Sequence, residues 1–228
     1  MAIGFRILQR SRAVGTTVVD RFRSLPVANI SDSMMRMTAA GAALRPLHGH
    51  GIVLAGPAVT VKSRPGDNLM LHKAIDFATP GDVVVVDAGG DLTNALIGEM
   101  MISHAQKRGL AGIVINGAVR DSAWIAQNDF PIFAAGISHR GPYKDGPGEI
   151  NVPIAIAGMV IEPGDLIVGD ADGLVCVPFD QVEQIYKLTA DKHAAELKQM
   201  AAIAAGRNDR SWVDATLVRL GCEMPPSQ

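Results

Sequence analysis

An arginine and an aspartate stand next to each other at positions 120 and 121, between an apolar run and a helical pattern. Arginine presents a planar fork of N–H donors that matches a carboxylate, and aspartate is a hard oxygen ligand for Mg²⁺ or Mn²⁺. Side by side, Arg120 and Asp121 could hold the two ends of one small 2-oxo acid. The spacing alone leaves a plainer alternative open, in which Asp121 caps the helix and Arg120 is a solvated surface residue.

A second candidate for anion binding is the glycine-rich segment at 87–91, which precedes a helical pattern that begins near Gly98. The first N–H groups of a helix have no partner within the helix and attract anions, so a substrate carboxylate could dock there. A nucleotide loop is the weaker alternative because the spacing departs from G-x-G-x-x-G. A plain structural turn also stays open.

The polar segment at 138–149 contains His139 and Arg140. It is either a loop that contributes cations to a dicarboxylate or a solvated loop. The six histidines include no H-E-x-x-H pair or comparable ligand set, which argues against a zinc site.

Strand and helix patterns alternate through the middle of the chain, which favours an α/β fold with a buried, partly parallel sheet. Arg120 and Asp121 would then lie at the carboxyl end of a strand, where open α/β sheets bind ligands. Strands are predicted at Val59–Lys62, Val83–Val86, Ile113–Ile115, Ile154–Ile156, Leu166–Val168 and Leu174–Val177. Helices are predicted at Leu69–Phe77, Gly98–Arg108, Ser122–Asn128 and Gln181–Ala205.

Before Gly51 the pattern predicts helices at Val18–Phe22 and Ser31–Met37, with Ser31 or Asp32 as a cap for the second. The tripeptide Pro-Gly-Asp occurs at 65, 80 and 163 and fits the centre of a type II turn. We interpret these three copies as turns rather than as a repeat.

The chain has 228 residues, of which 48% are hydrophobic and 19% charged, enough to bury a full core. No apolar run approaches the roughly 18 residues of a membrane span, and the first residues lack the pattern of a secretory signal, so we expect a cytoplasmic protein without membrane contact. The net charge of −2, with scattered Lys and Arg, argues against nucleic-acid binding. Cys176 and Cys222 are interpreted as structural thiols.

An ordered set of short motifs between residues 28 and 190 resembles the RraA-like family, and the set is more specific than any single member. The family includes 4-hydroxy-4-methyl-2-oxoglutarate/4-carboxy-4-hydroxy-2-oxoadipate aldolases and the regulator of ribonuclease E activity A. The matching segments are Gly66-Asp-Asn-Leu69, Gly98-Glu-Met-Met101, Val119-Arg-Asp121, Asn151-Val-Pro153, Pro163-Gly-Asp165 and Asp170-Ala-Asp-Gly-Leu-Val175.

The resemblance implies a single swivelling β/β/α domain over residues 1–228, with a core at about 28–190 and helical extensions at 1–27 and 181–228. It also implies a homotrimer or a homohexamer, with active sites near subunit boundaries. Arg120 would bind the pyruvate portion of the substrate, and Asp121 would reach Mg²⁺ or Mn²⁺. Backbone amides of Gly98, Glu99, Met100 and Met101 would hold the pyruvate carboxylate.

The activity implied is that of a class II, metal-dependent lyase that releases pyruvate from a small 2-oxo acid through a metal-stabilised enolate. The reaction is aldol cleavage of a 4-hydroxy-4-methyl-2-oxoglutarate type of substrate, or oxaloacetate decarboxylation. The sequence departs from the aldolase pattern in one respect, because 122–127 supplies no second acid after Asp121. The alternative is a non-catalytic regulator of a ribonuclease E-type protein, acting through its oligomeric surface.

Overall fold

The computed structural model describes residues 3 to 225, so the outermost parts of both predicted extensions, 1–2 and 226–228, lie outside it. The chain divides into two compact units, one up to Ala190 and one from Asp191 onward. Among the described residues, no helix combines the length and the apolar character needed to span a membrane.

The described residues form twelve strands and seven α-helices. The strands are β1 (Phe5–Ile7), β2 (Arg45–Pro46), β3 (Leu54–Ser63), β4 (Val83–Asp87), β5 (Ala95–Ile97), β6 (Gly112–Val119), β7 (Ile132–Ile137), β8 (Gly148–Ile150), β9 (Ile154–Ile156), β10 (Met159–Ile161), β11 (Leu166–Asp170) and β12 (Gly173–Val177). The helices are α1 (Thr16–Phe22), α2 (Val27–Ser33), α3 (Leu69–Phe77), α4 (Glu99–Lys107), α5 (Ser122–Ile125), α6 (Val182–Ala204) and α7 (Ser211–Arg219).

The first unit contains a mixed sheet whose centre, β3-β4-β6-β7, is parallel. Strands β8 and β1 extend it at one edge and β2 at the other, while β5 pairs with the end of β6. Strand β3 is long enough to serve three partners: it pairs with β11 at Leu54–Pro57, with β4 at Ala58–Lys62 and with β8 at Val61–Ser63. The expected α/β architecture with helices packed on a partly parallel sheet is confirmed.

The four valines of β4 explain why this sheet is covered on both faces. Val84 and Val86 belong to a core cluster shared with α3 and α4, whereas Val83 and Val85 belong to a second cluster with β9, β10 and β12. Successive strand residues point to opposite faces, so an uninterrupted apolar run requires an apolar partner on each side. The prediction drawn from this run is confirmed.

The N-terminal region departs from the prediction of helices alone. It begins with strand β1, which pairs in parallel with β8, a partner about 140 residues along the chain that no local pattern reveals. Helix α2 begins at Val27 and ends at Ser33, so the predicted start and the cap by Ser31 or Asp32 were wrong. The first amide of α2 instead donates to Asp170 Oδ2 (2.9 Å), a tertiary cap supplied by β11.

The Pro-Gly-Asp segments form turns in which Gly66, Gly81 and Gly164 have φ of +74°, +89° and +91°. A type II turn requires a positive φ at its third residue, so the interpretation as turns is confirmed. The aspartates that follow, Asp67, Asp82 and Asp165, are all buried and accept backbone hydrogen bonds. They brace the loops around them, a role that the sequence did not indicate.

Candidate active site

A cleft of about 200 Å³ opens where β5 and β6 end and α3 and α4 begin. This volume is below the roughly 300–1,000 Å³ of pockets for drug-sized ligands, so the cleft suits a small metabolite. The residues that line the cleft include Asn68, His72, Gly98, Met101, Arg120 and Lys144.

Arg120 follows directly after β6. Of the predicted pair Arg120 and Asp121, only Arg120 lines the cleft. Its backbone N–H donates to the Ile97 carbonyl (2.9 Å), which ties the end of β6 to the end of β5. Its side chain is about half exposed, and a Cβ at Gly141 would lie 3.5 Å from Nη1. The guanidinium therefore lies beside the Gly141 backbone, in the wall of the cleft.

Asp121 adopts a left-handed backbone conformation, with φ of 59° and ψ of 37°. It stands at the start of α5 but makes no capping hydrogen bond to it, which removes the plainer interpretation of this residue. Its Oδ2 instead accepts the Glu99 amide (2.9 Å) and lies 3.8 Å from Arg120 Nε. A negative charge at the start of α4 is stabilised by the helix dipole, so Asp121 caps the neighbouring helix.

Gly98 makes this arrangement sterically possible. A Cβ at residue 98 would come 2.3 Å from Asp121 Oδ2 and 2.8 Å from Arg120 Cγ. The φ of Gly98 is −153°, which any residue adopts, so the requirement for glycine here is one of space.

The start of α4 presents backbone donors to the cleft. The first amides of a helix have no intrahelical partner. Of the four residues predicted to bind a carboxylate, Gly98, Met100 and Met101 line the cleft. Glu99 does not line it, and its amide donates to Asp121. Met100 and Met101 are therefore the residues at this helix start whose amides could take up an anion beside Arg120.

The other sequence candidates lie away from the cleft. None of the residues 87–91 lines it, and Asp87 Oδ1 accepts the Gly89 amide and the Asn116 side chain, which closes the turn on itself. His139 and Arg140 are exposed and also do not line the cleft, although the Arg140 carbonyl accepts the Ala95 amide. For those two side chains, the solvated alternative matches the structure.

Two functional cleft residues were missed from the sequence: Asn68 and His72. Asn68 is 2% exposed and its Nδ2 donates to the Leu96 carbonyl (2.8 Å), while His72 lies one turn further along α3. The four-residue spacing of Asn68 and His72 was a usable signal, because side chains at that spacing share a helix face. Lys144 belongs to the polar segment at 138–149, for which the sequence left open a role as a loop that contributes cations, and it is the basic residue of that segment that lines the cleft.

Asp67 holds the loop that carries Lys144. Its Oδ2 accepts the amides of Asp145 (2.7 Å) and Gly146 (2.9 Å), and its Oδ1 accepts that of Leu69 (2.9 Å). Burial alone would raise the pKa of Asp67, but these hydrogen bonds and the Arg64 guanidinium outweigh it and lower the pKa. An ionised Asp67 therefore fixes the loop to the start of α3.

The cleft is cationic, because Arg120 and Lys144 both line it. Burial lowers the pKa of His72 below its ordinary value, and the charge of Lys144 lowers it further. Asp76 on the same helix opposes this effect, and His104 on α4 adds to it. His72 is therefore a neutral imidazole at neutral pH.

The fit of a divalent metal rests on Asp121. Across residues 3 to 225, no group of three or more His, Cys, Asp or Glu side chains could hold a metal ion. Mg²⁺ commonly keeps several waters and binds through one or two carboxylates together with its substrate. Asp121 fits this pattern as one carboxylate ligand, beside a cleft that can hold an anionic substrate.

Comparison with known proteins supplies the family context. The family model described as RraA-like, Aldolase/RraA, matches residues 27–176. A protein of Halalkalibacterium halodurans named "Putative 4-hydroxy-4-methyl-2-oxoglutarate aldolase" is 41% identical over 186 residues, which cover 82% of this chain and 88% of that protein.

Two solved structures are similar to the chain. An uncharacterized protein from Pseudomonas syringae has a TM-score of 0.78 at 25% identity, with 87% of this chain and 93% of that chain covered. The RNA-processing inhibitor RraA from Thermus thermophilis has a TM-score of 0.62 at 29% identity, with 67% and 92% covered.

Proposed function

The chain belongs to the RraA-like family, and from this premise we propose that it is a lyase that cleaves a small 2-oxo acid to pyruvate. The observation that carries the proposal is that Arg120 and the first residues of α4, Met100 and Met101, line the same small cleft. The guanidinium and the backbone amides would supply two kinds of N–H donor, which together suit the carboxylate and the 2-oxo oxygen of a pyruvyl group.

Catalysis would depend on stabilising the negative charge that develops on the pyruvyl group. Breaking the bond between C3 and C4 leaves its electron pair on C3, conjugated with the 2-oxo group as an enolate. The amides of Met100 and Met101 hold the carboxylate, and Arg120 faces the oxygen on which charge accumulates. Preorganised donors of this kind stabilise the transition state more than the ground state.

A divalent cation is part of the proposal, with Asp121 as the residue that would hold it. Mg²⁺ or Mn²⁺ in that position would act as a Lewis acid on the 2-oxo oxygen. Asp121 lies 3.8 Å from the Arg120 guanidinium, so cation and guanidinium would address the same end of the substrate.

A second cation in the cleft favours a substrate with a second carboxylate. Lys144 lines the cleft together with Arg120, and a lysine is a compact charge suited to an anion. A 4-hydroxy-4-methyl-2-oxoglutarate type of substrate and oxaloacetate both have a second carboxylate. Aldol cleavage and decarboxylation use the same enolate site, so we propose both as activities.

The test is an assay of both substrates with Mg²⁺ and with EDTA, on the native protein and on Arg120→Lys and Asp121→Asn. Lysine keeps the charge of Arg120 without its fork, and asparagine keeps the shape of Asp121 without its charge. We expect a loss of about 100-fold in kcat/KM for each variant, the size found for single oxyanion donors. Arg36→Lys is the matched control, because Arg36 is 74% exposed and pairs with Asp32. Full activity in both site variants would refute the proposal.

The second candidate is a regulator that acts on a ribonuclease, and the likeness to the Thermus RraA structure favours it. Fold does not separate the two functions, because function depends on the site. This candidate predicts that the protein binds a ribonuclease E-type enzyme and slows it, with no turnover of any 2-oxo acid. A binding assay beside the lyase assay distinguishes them.

We also propose that the chain assembles as a homotrimer or homohexamer. In the second unit, several large apolar side chains are exposed on the part of α6 beyond Asp191, on α7 and at the residue that follows α7, and such side chains commonly mark contact surfaces. They are Leu197, Met200, Ile203, Trp212, Val218 and Leu220. A neighbouring chain would then supply the acid that 122–127 lacks. Light scattering tests the assembly, and a mass equal to one chain contradicts it.

A further inference from the structure

The cleft contains a single side chain suited to exchange a proton near neutral pH. Of the described residues that line it, Arg120 and Lys144 are suited to binding anions, and Asn68, Met100, Met101 and Pro142 have no titratable side chain. The remaining functional side chain is that of His72. Histidine is the side chain whose ordinary pKa falls in the physiological range.

His72 is held in place on a regular element. It lies in the first turn of α3, and its backbone N–H donates to the Asn68 carbonyl (3.0 Å). Asn68 in turn is fixed by its own hydrogen bond to Leu96 on β5, the strand that leads to Gly98. The imidazole and the carboxylate-binding start of α4 therefore belong to one connected framework.

The surrounding charges favour a base rather than an acid in the resting protein. Lys144 from the facing loop and His104 from α4 disfavour the imidazolium form, and Asp76 on α3 itself favours it. Burial also disfavours the imidazolium form, and the pKa of His72 is lowered overall. A neutral imidazole is available to accept a proton from a bound substrate.

We infer that His72 is the proton-transfer residue of the aldol cleavage. This inference rests on the proposed function, and it names the group that handles the proton. His72 removes the proton of the C4 hydroxyl, the C4–O bond becomes a carbonyl, and the C3–C4 bond breaks with its electron pair passing to C3 and the 2-oxo group. The imidazolium then returns the proton to C3, so that a 4-hydroxy-4-methyl-2-oxoglutarate substrate gives two molecules of pyruvate with no net proton change.

Decarboxylation makes a weaker demand on His72. Oxaloacetate has no C4 hydroxyl, because its C4 is the carboxylate that leaves as CO₂. The enolate formed can take a proton from water. The two reactions thus share the Arg120 site and differ in their need for a base. Decarboxylation therefore serves as the control for an intact enolate site when His72 is changed.

The experiment compares the native protein with His72→Gln on both substrates in the presence of Mg²⁺. We expect kcat for aldol cleavage to fall about 100-fold, the low end of the usual effect of a general base. We expect decarboxylation to change less than about threefold, because the enolate site is intact. His139→Gln is the matched control, since His139 is exposed and does not line the cleft. Circular dichroism and pyruvate binding check that the variant is folded.

Two further measurements separate a chemical role from a structural one. In the native protein, kcat/KM for cleavage should fall as the pH drops through the pKa of His72, and this limb should be absent in His72→Gln. Free imidazole should restore part of the cleavage activity of His72→Ala. NMR titration of the ligand-free protein should place the pKa of His72 below the ordinary value of about 6.5.

The outcomes are distinguishable. Equal losses on both substrates, or unchanged cleavage, would overturn the role of His72 while leaving the proposed lyase function standing. Decarboxylation without any cleavage by the native protein would also overturn it. No turnover of either substrate by the native protein would overturn the proposed function itself, and the role of His72 with it.

Discussion

Gly98 and Asp121 approach so closely that a methyl group on Gly98 would lie 2.3 Å from the Asp121 carboxylate. The two residues are 23 positions apart and meet because β5 pairs with β6 and α4 begins directly after β5. This contact sets the position of Asp121 and, through it, the geometry beside Arg120.

Gly98→Ala is expected to lower kcat/KM about 100-fold, because a displacement of about 1 Å at a reacting centre has an effect of that size. Both Asp121 and Arg120 would have to move to admit the methyl group. The measurement is steady-state kinetics beside thermal unfolding. Gly15→Ala is the control glycine, since a Cβ there meets nothing within 4 Å. Activity of Gly98→Ala within threefold of the native value would contradict the prediction.

The left-handed conformation of Asp121 predicts that its variants differ in stability. Asparagine adopts this conformation readily, whereas alanine has a penalty of about 1–2 kcal/mol there. Asp121→Ala should therefore lower the free energy of unfolding by about that much more than Asp121→Asn. Urea denaturation of the two variants measures the difference, and equal stabilities would show that the backbone at 121 is unstrained.

Asp67→Asn should destabilise the protein at neutral pH by about 1.5–3 kcal/mol, the contribution of hydrogen bonds to a charged group. The folded pKa of Asp67 is lowered, so its stabilising effect is present above the unfolded pKa of about 3.9 and is lost as the pH falls through the folded pKa. The difference between native protein and variant should therefore shrink in strong acid. Urea unfolding at pH 7 and pH 3 tests this, and a gap independent of pH would be inconsistent with an ionised Asp67.

Lys144→Met should raise KM about tenfold for substrates with a second carboxylate, since one charge-assisted contact is lost. A 4-hydroxy-2-oxo acid without that carboxylate should be affected much less, because the Arg120 end of the cleft is unchanged. Steady-state kinetics on both substrate types provides the measurement. Lys73→Met is the control, because Lys73 lies on α3 but does not line this cleft. An equal rise in KM for both substrate types would show that Lys144 does not bind the second carboxylate.

The sequence by itself determined the elements whose signal is local. The run at 83–86 indicated a strand buried on both faces, and the apolar spacing at Leu69–Phe77 matched α3 at both ends. It also indicated Arg120 and Asp121, because a strand end followed by a helix start is a local pattern that carries chemistry. The turns at the three Pro-Gly-Asp segments were also predicted from the sequence, since proline fixes its own φ and glycine allows a positive φ.

Only the tertiary structure decided which side chains share the cleft with Arg120. Strands such as β1 and β8 are held by partners distant in the chain, and the cap of α2 comes from Asp170 on β11. Lys144 reaches the cleft because buried Asp67 binds the backbone of its loop. Contacts of this kind depend on where the sheet brings separate segments together, and residue type and spacing within one segment do not encode that position.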